Sequence, residues 1–551
     1  SLLSFSPFLI PAIQNDMGGI FLMRRLHTVV AYGDGPYVTS LTLIPLAIFF
    51  LHRALTTPSI QRWILASIAI AAVPLTNIPG SLSLAMAFAS FILALNWRVW
   101  SSKLPQILGM SATGFVLFAP WLSPSSLLLM AHNVQWMNPE GRFSIERTGY
   151  YLLFAAVILG ITVLLHRLQT SFYLRFTLLF SFITAGVVLL EALFNISLIG
   201  QATRFHLAMD MALAMLAGSF AATINLTLKT RQILIAAIAI ISLAQIVHLR
   251  KFSKKITMSA QDVTSRSEYR VAQWMSENAN GARVLVPGST SFWLNYWTST
   301  PQATGCCDQG ALLLAPAITK HVLGTLNTLD GLTEYSTTEI ALSWMKTLGV
   351  RYINISINGS TEVYQNFHYP GLFDGILPER WRDNGEIIYE VPDVTSLAHV
   401  ISPNESISRM PENGIDIEPL QPYIAAISDS NRPAATFQWI SNRSATIHST
   451  AQPEELISVQ IPFHQGWAAS SPHGPVALSK DALGLLLIEP HCHGECEVQL
   501  IFDGGTEAKI LRFIATCSWT LLAIFLAISF YRARHLYSSK ISNQLESEQN
   551  R

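Results

Sequence analysis

Apolar and polar residues alternate along this chain in long blocks. Eight apolar runs fall within the first 250 residues, and a ninth follows a long, mostly polar region; they cover 36–52, 63–78, 79–96, 104–122, 149–165, 173–194, 205–227, 232–249 and 509–531. A helix needs about 20 apolar residues to cross a bilayer, so we interpret the runs as membrane spans with approximate ends. The pattern predicts a multi-span transmembrane domain over 1–250 and a C-terminal transmembrane helix over 509–531.

The polar region before the last run changes its periodicity once. Helix-period and strand-period segments alternate up to about residue 392, as in SEYRVAQWMSENANG, ARVLVPG and IALSWMKTLGVRYINIS. Short alternating strands separated by turn residues follow, as in ELISVQIPF, GLLLIEP and EVQLIFDGG. The pattern predicts an α/β domain over 255–392 and a β-sandwich over 393–508.

The positions of basic residues predict on which side of the membrane each connection lies. Arg532, Arg534 and Lys540 follow the last apolar run, and basic residues beside a span stay in the cytoplasm. Counting spans back from a cytoplasmic tail over 532–551 makes 255–508 extracytoplasmic. Every connection then predicted inside is basic, and the residues concerned are Arg53, Arg62, Arg98, Lys103, Arg167, Arg175, Lys229 and Arg231. The basic group at 250–255 opposes this assignment, but the rule is weak ahead of a long translocated domain.

Composition narrows the class of protein. Half of the residues are hydrophobic and 13% are charged, with 35 basic residues balancing 35 acidic ones. There is no overall basic signature for nucleic acid, so membrane lipids are the first expected partners. We expect a multi-pass protein of the cell inner membrane with a large periplasmic domain. The chain opens on SLLSFSPFLIPAI, without an initiator methionine or a basic signal-peptide region, which we interpret as a missing N-terminus.

Four of the five cysteines lie in the predicted extracytoplasmic region, where disulfides form. In CHGEC, a disulfide between Cys492 and Cys496 is favoured over a metal site, because a second pair of ligands is missing. Cys306 and Cys307 are adjacent in the sequence. They would form either a strained vicinal disulfide or, as we favour, two free or separately paired thiols.

Charged residues concentrate at the predicted outer face of the membrane domain. Arg25 and His27 lie in the first outer connection, and Arg204 and His206 open a later span. Arginine suits bidentate binding of phosphate, so Arg25 and Arg204 are candidates for binding the substrate. His27 and His206, which lie beside them in the sequence, are the other two substrate-binding candidates. The alternative is that Arg204 and His206 only reach into lipid headgroups. Asp210 shares a helical face with His206 inside the span, where we favour a structural or ion-pair role.

The segment SFSPFLIPAIQNDMGGIFLMRRLHTVVAYGDGPYVTSLTLIPLAI resembles bacterial membrane proteins called 6-pyruvoyl-tetrahydropterin synthase-related. Pro7, Arg25, Asp34 and Pro45 match that family's pattern. Asp34 replaces the usual glutamate, and Ile44 precedes Pro45 where the family has leucine. The family's name does not imply pterin chemistry.

The stretch IPFHQGWAASSPHGPVALSKDALGLLLIEPHCHGECEVQLIFDGG is similar to the sandwich of YfhO-like membrane proteins. In that family a Gly-Trp pair, here Gly466 and Trp467, precedes a β-hairpin, and the domain ends at a final span. Both families look like GT-C glycosyltransferases, so the resemblance implies a GT-C-like polytopic helical domain. It also implies transfer of a sugar from a polyprenyl-phosphate donor to an extracytoplasmic glycan or protein acceptor.

In the GT-C fold the catalytic acid commonly lies in the first outer loop after the first helix, and we expect that catalytic loop to be missing from this chain. Asp16 and Asp34 are the acids in the part of the loop that is present. The resemblance makes Asp34 the catalytic candidate and assigns Arg204 and Arg25 to the phosphate; a divalent metal is compatible with this chemistry. The soluble region contains no nucleophile motif, Walker loop, HExxH, or GxGxxG after a strand. The alternative function is a non-enzymatic envelope scaffold that binds glycan or a partner. A transporter is disfavoured because charges within the spans are few.

Overall fold

The computed structural model describes residues 4–17, 23–137, 145–223, 227–256, 262–303, 305, 311–325, 334–362, 364, 367 and 369–549. The contacts within the chain define two compact units. The first comprises Ser1–Pro124, Val134–Ala260 and Ile510–Arg551, and the second comprises Ser125–Asn133 and Gln261–Lys509.

The first 256 residues contribute twelve helices to the described structure. In chain order they are α1 (Ser6–Leu9), α2 (Pro11–Met17), α3 (Arg24–Tyr32), α4 (Gly35–Thr56), α5 (Ile60–Thr76), α6 (Ile78–Ala94), α7 (Trp100–Phe118), α8 (Pro124–Met137), α9 (Ile145–Arg167), α10 (Phe172–Phe194), α11 (His206–Thr223) and α12 (Leu228–Ile256). Side-chain caps set several helix starts: Ser59 accepts from the Arg62 N–H, and Ser171 accepts from the Leu174 N–H.

Within the described residues, most of each apolar run predicted from the sequence is helical, and the chain is a multi-pass membrane protein. Six helical stretches in the described residues are long and apolar enough to cross a membrane: Gly35–Thr56, Thr148–Arg167, Phe172–Phe194, Ala202–Thr223, Leu228–Lys251 and Gly505–Ser529. Ile78–Ala94 and Trp97–Phe118 are bent by 102° at their junction and add a seventh if they form one broken span. Helix α5, at 17 residues, is shorter than these. The count is below the nine predicted runs because of this short helix and this break.

Three basic connections predicted on the cytoplasmic side lie together at one end of the first unit. Lys103 Nζ donates to the Leu55 carbonyl at 2.7 Å, which joins the start of α7 to the end of α4. His166 Nε2 lies 3.0 Å from the Leu93 carbonyl, and Arg175 Nη1 lies 3.0 Å from His166 Nδ1. We call the helix ends joined by these contacts the basic end.

The opposite ends of the same helices form what we call the polar end. Near it, the Tyr37 hydroxyl lies 3.2 Å from Ser83 Oγ, and the Phe205 ring is 6.4 Å from the Tyr37 ring. Closer to the basic end, the His52 and Phe91 rings are 6.4 Å apart. Helices α4 and α6 therefore run in the same direction, and α11 starts beside the start of α4.

The second unit contains an α/β part built on a four-stranded sheet. Its helices are α13 (Ser267–Asn278), α14 (Gly288–Trp297), α15 (Ala315–Thr325) and α16 (Thr337–Thr347), and its strands are β1 (Arg283–Leu285), β2 (Val350–Ser356), β3 (Glu379–Asp383) and β4 (Glu386–Glu390). The strand order is β1-β2-β4-β3, with β1 parallel to β2 and the other pairs antiparallel. The sequence pattern predicts α13, β1, α16 and β2, but it does not reveal the β3–β4 hairpin, whose outer strand is short and charged.

The C-terminal part of the second unit is an eight-stranded antiparallel sheet. Its strands are β5 (Ala398–Ile401), β6 (Thr436–Ser441), β7 (Ser444–Ala451), β8 (Leu456–Pro462), β9 (Trp467–Ser471), β10 (Gly474–Lys480), β11 (Leu485–Glu489) and β12 (Gly494–Phe502), in the order β5-β8-β11-β10-β9-β12-β7-β6. Helix α17 (Gln421–Ser428) lies between β5 and β6 in the chain. Val400, Ile447, Val459 and Leu500 share one buried core, so the two halves of the sheet pack face to face as a sandwich does.

The hairpin implied by the Gly-Trp pair is present as β9 and β10. A Cβ atom on Gly466 would lie 2.8 Å from the backbone of Gly504, so this close approach requires glycine. Helix α18 (Gly505–Gln549) starts at the residue directly after Gly504. Within the first unit, Trp519 Nε1 in α18 donates to the Leu117 carbonyl at 3.1 Å.

The cysteines differ in state. Cys492 and Cys496 are disulfide-bonded with Cα atoms 5.9 Å apart, and their loop joins β11 to β12. Cys517 in α18 is free and exposed. Cys306 and Cys307 lie outside the described residues.

Candidate functional site

The polar end of the first unit gathers the charged residues that the sequence singles out. Helix α3 supplies Arg24, Arg25 and His27. It ends at Gly33, whose φ of +66° lies in the left-handed region that favours glycine. The chain turns there directly into α4, so the charges of α3 lie beside the start of a membrane span.

Arg24 is the centre of a buried polar network. Its side chain is enclosed at 7% exposure, and its Nε donates to His206 Nε2 at 3.1 Å. Its Nη1 donates to His27 Nδ1 at 3.0 Å and also to the Asp16 carboxylate. One guanidinium thus links α2, α3 and α11.

The donors of Arg24 determine the protonation of both histidines. A guanidinium can only donate, so His206 Nε2 and His27 Nδ1 must accept and carry no proton. His206 Nδ1 donates to the Thr203 carbonyl at 2.9 Å. Burial and the nearby charge of Arg24 lower the pKa of His27. Both rings therefore act as neutral acceptors of Arg24, and a contact of either ring with substrate stays a prediction.

The two acids of the first loop occupy different environments. Asp16 accepts from the Tyr32 hydroxyl and from Arg24, whose guanidinium carbon lies 5.5 Å from the Tyr32 ring centre. Burial raises the pKa of the Asp16 carboxyl, but these hydrogen bonds outweigh burial and bring it below its usual value. Asp16 is thus held ionised by its partners.

Asp34, in contrast, is half-buried and has no hydrogen-bond partner for its carboxylate among the described residues. It precedes α4 without capping the helix. Burial raises the pKa of Asp34, and the positive charge of Arg204 offsets this only in part. Arg204 is exposed, and its Nη1 donates to Gln201 Oε1 at 3.3 Å. The structure therefore brings Asp34 and Arg204 into the same electrostatic environment.

Glu191 positions the turn that carries Arg204. Its Oε1 accepts from Ser197 Oγ at 2.8 Å, and its Oε2 accepts from the Thr203 N–H. These bonds tie the end of α10 to the turn Ala202–Phe205. The sequence offered only an isolated acid near the end of a span as a signal for this role.

Arg25 lies on the rim of an apolar cavity between α4 and α11. The cavity has a volume of about 370 Å³ and is lined by Arg25, Leu41, Thr42, Pro45, Met211, Ala214 and Met215. Pro45 has no N–H for the Leu41 carbonyl, which breaks the regular helix surface at this point. Arg25 Nη2 reaches the Val38 carbonyl at 3.5 Å, one turn beyond Asp34. Burial lowers the pKa of Arg25, while the charge of Asp210 raises it; a guanidinium still stays charged.

Asp210 anchors the first residues of the described chain. It is 6% exposed, and its Oδ1 accepts from the backbone N–H groups of Phe5 at 2.8 Å and Ser6 at 2.7 Å. Its Oδ2 accepts from Ser6 Oγ at 2.8 Å. The structural role favoured from the sequence matches this geometry, with backbone and hydroxyl donors in place of an ion-pair partner.

A divalent metal has no evident ligand set in the described part of the chain. No group of three or more His, Cys, Asp or Glu side chains there is arranged to hold a metal ion. Asp16, His27 and His206 converge on Arg24, a cation that would repel a metal.

Of the predicted site residues, the structure joins His27 and His206 through Arg24. The positive charge of Arg204 lowers the pKa of Asp34, but the two side chains form no ion pair. Arg25 faces a separate cavity on the same end. Sequence reasoning did not assign roles to Tyr32 or Glu191, whose partners lie 6 to 16 residues away in the chain.

No protein-family model and no curated protein sequence matches this chain. Among solved structures it is similar to arabinofuranosyltransferase AftD from Mycobacteria, at 12% identity and a TM-score of 0.37, over 91% of this chain and 49% of AftD. A mutant form of AftD gives 12% identity and a TM-score of 0.32, over 87% of this chain and 50% of that one. This chain thus spans about half the length of that protein. Scores this low do not establish a common fold or a shared activity.

Proposed function

We propose that this chain binds a polyprenyl-phosphate-linked sugar at the polar end and transfers the sugar to an extracytoplasmic acceptor, a glycan or protein of the envelope. The observation that carries this proposal is the cavity between α4 and α11, which is apolar except for Thr42 and has Arg25 at its rim. A polyprenyl phosphate has the same two parts, an apolar chain and an anionic head. The GT-C resemblance of the sequence points to the same class of substrate.

The polar end belongs on the extracytoplasmic side in this proposal. The basic end carries three of the basic connections, and such connections stay in the cytoplasm. A lipid donor in the outer leaflet would then enter between α4 and α11 with its phosphate at the level of Arg25.

The residues at this end supply what glycosyl transfer needs. The acceptor hydroxyl oxygen forms a bond to the anomeric carbon, and the bond from that carbon to the phosphate oxygen breaks. Asp34 takes the hydroxyl proton, since its carboxylate accepts no hydrogen bond from the described residues and burial raises its pKa toward the working range of a base. Arg204 and Arg25 stabilise the negative charge on the departing polyprenyl phosphate. Arg24, His27 and His206 hold α3 against α11 and act only through position.

Binding of the lipid tests the cavity. The full chain is reconstituted in nanodiscs, and the affinities of a polyprenyl phosphate and of the matching polyprenol are compared. Arg25→Ala should weaken phosphate binding about tenfold to a hundredfold, since a charged hydrogen bond contributes about 1.5–3 kcal/mol. Arg53→Ala is the matched control, because Arg53 is an exposed arginine on α4 at the basic end. Equal affinity of the wild-type chain and Arg25→Ala would refute the site.

Transfer is tested separately from binding. Release of polyprenyl phosphate from a polyprenyl-phosphoryl sugar is followed in membranes that contain envelope acceptors. Asp34→Asn should reduce release about a hundredfold or more and leave lipid affinity unchanged, because it removes only the base. Arg204→Ala should impair donor use, and Arg204→Lys should restore part of it, since lysine lacks the planar fork. Normal release by Asp34→Asn would remove Asp34 from the mechanism, and a chain that binds lipid without any release would favour the scaffold.

A further inference from the structure

The second unit carries an exposed aromatic surface that the proposed function does not use. It consists of Phe292, Trp293, Tyr296 and Trp297 on α14 together with Tyr364, and we call it the aromatic platform. Tyr296 is 76% exposed, and Phe292 and Trp293 are each about half exposed. The Trp293 and Trp297 rings stack at 5.7 Å, and the Phe292 and Tyr364 rings meet edge to face at 6.3 Å. We propose that this platform docks the second unit on the surface of the lipid bilayer.

The platform is held rigidly. Leu294 and Thr290 on the opposite face of α14 are fully buried, which directs the aromatic residues outward. The Ser289 N–H at the start of the helix donates to Glu362 Oε1 at 2.6 Å. Gly288 has a φ of +66°, and a Cβ atom there would lie 2.3 Å from the same carboxylate oxygen. The helix start is thus fixed by a tight contact.

The surroundings of the platform suit lipid. Residues 284–307 contain no Asp, Glu, Lys or Arg, although this stretch belongs to the polar half of the chain. Exposed Trp and Tyr prefer the boundary between water and hydrocarbon, where the ring is apolar and the N–H or O–H is hydrated. The stretch that carries α14 has no charged side chain of its own, and its exposed Trp293 and Tyr296, together with the exposed Tyr364, match that boundary.

A glycan is the competing occupant of an aromatic surface, and the neighbouring amides argue against it. Asn295 Nδ2 donates to the Thr300 carbonyl at 2.9 Å, and Gln302 Nε2 donates to Asn295 Oδ1 at 2.7 Å. Sugar sites combine stacking rings with polar groups that remain available for the hydroxyls. Here the side-chain N–H groups of Asn295 and Gln302 already donate to the protein, and Gln302 Oε1 is buried, which favours lipid.

A segment of ten residues separates a candidate membrane span from the part of the chain that carries the platform. Helix α12, a candidate span, ends at Ile256, and α13 begins at Ser267. The intervening segment 257–266 can reach at most about 35 Å when fully extended. The Tyr269 ring in the first turn of α13 lies 5.5 Å from Trp297.

Quenching of a site-specific label tests the docking. Single cysteines replace Tyr296 or, as control, the exposed turn residue Asn442 in the full chain without its native cysteines, and each carries an environment-sensitive fluorophore. The chain is reconstituted in nanodiscs of phosphatidylcholine and phosphatidylglycerol that contain nitroxide-labelled phosphatidylcholine. The label at 296 should be quenched by the lipid nitroxides and be severalfold less accessible to aqueous iodide than the label at 442.

Two outcomes of this experiment would overturn the proposal. Iodide quenching at 296 as strong as at 442, without quenching by lipid nitroxides, would overturn it. Protection of the label by a soluble oligosaccharide would assign the platform to glycan and would also overturn it. In the chain labelled at 296, Trp293→Ser should restore access to iodide, because the stacked ring is lost. None of these readouts depends on the transferase proposal.

Discussion

Asp210 should hold the first described residues against α11 through hydrogen bonds alone. Its carboxylate is 6% exposed and accepts three hydrogen bonds, from the Phe5 N–H, the Ser6 N–H and the Ser6 hydroxyl. Asp210→Ala removes all three acceptors at once. Asp210→Asn keeps one oxygen for the two backbone donors, and Ser6→Ala removes only the hydroxyl bond.

The magnitude follows from the number and type of these bonds. A hydrogen bond to a charged group contributes about 1.5–3 kcal/mol, and neighbouring bonds are not additive. We expect Asp210→Ala to lower the free energy of local opening by about 3–4 kcal/mol, and Ser6→Ala by about 1–2 kcal/mol. The Ala variant should then lose between about a hundredfold and a thousandfold of the exchange protection of the Phe5 and Ser6 amides.

Hydrogen exchange of the N-terminal peptide, measured on the purified chain in detergent, reports this opening. A peptide from the basic end of α4 is the internal control, since it should exchange at the same rate in all variants. The double variant Ser6→Ala/Asp210→Ala should lose less protection than the sum of the single variants, because both remove the same bond. Unchanged protection in Asp210→Ala, or fully additive losses, would refute the reasoning.

Three further predictions concern the second unit and its orientation. Burial raises the pKa of Asp481 to about 6, above its usual 3.8, so the stability that this carboxyl contributes should be lost as the pH rises from about 4 to about 6. Over this range the wild-type chain should therefore lose up to about 3 kcal/mol relative to Asp481→Asn. Thermal unfolding at both ends of this range checks it, and equal slopes in the two chains would contradict it. Cys492 and Cys496 should be found as a disulfide by mass spectrometry of protein isolated without reductant; two free thiols would disprove the pairing. In a cysteine-free chain, an impermeant thiol reagent added outside should label a cysteine at Asn442 and not one at Ser539, and the reverse result would invert the proposed topology.

Features that depend on local composition were accessible from the sequence. The length and apolarity of a run decide whether a helix is compatible with the bilayer, so the helices at 36–52 and 173–194 could be predicted. The same holds for α13 and β2, whose periodicity is strong. The runs at 63–78, 79–96 and 104–122 are also mostly helical, but hydropathy did not show that α5 has only 17 residues or that α6 and α7 meet at a bend of 102°.

The roles of the charged residues depend on tertiary contacts. Arg24 and Arg25 are neighbours in the chain, but successive residues on a helix point about 100° apart. The rotation of α3 turns one guanidinium toward two histidines and Asp16 and turns the other toward the cavity between α4 and α11. Nothing in the letters RRLH distinguishes the two.

The role of Asp34 likewise could not be predicted from the sequence alone. The sequence supplies an acid at the start of a span, and Asp16 is an equally plausible one. Only the folded chain gives Asp16 the donors Tyr32 and Arg24 and leaves Asp34 without a hydrogen bond among the described residues. Hydropathy is a sum over neighbours in the chain, whereas hydrogen bonding and burial depend on neighbours in space. The membrane-spanning helices could therefore be predicted from the sequence. The different roles of the charged residues were determined by tertiary packing.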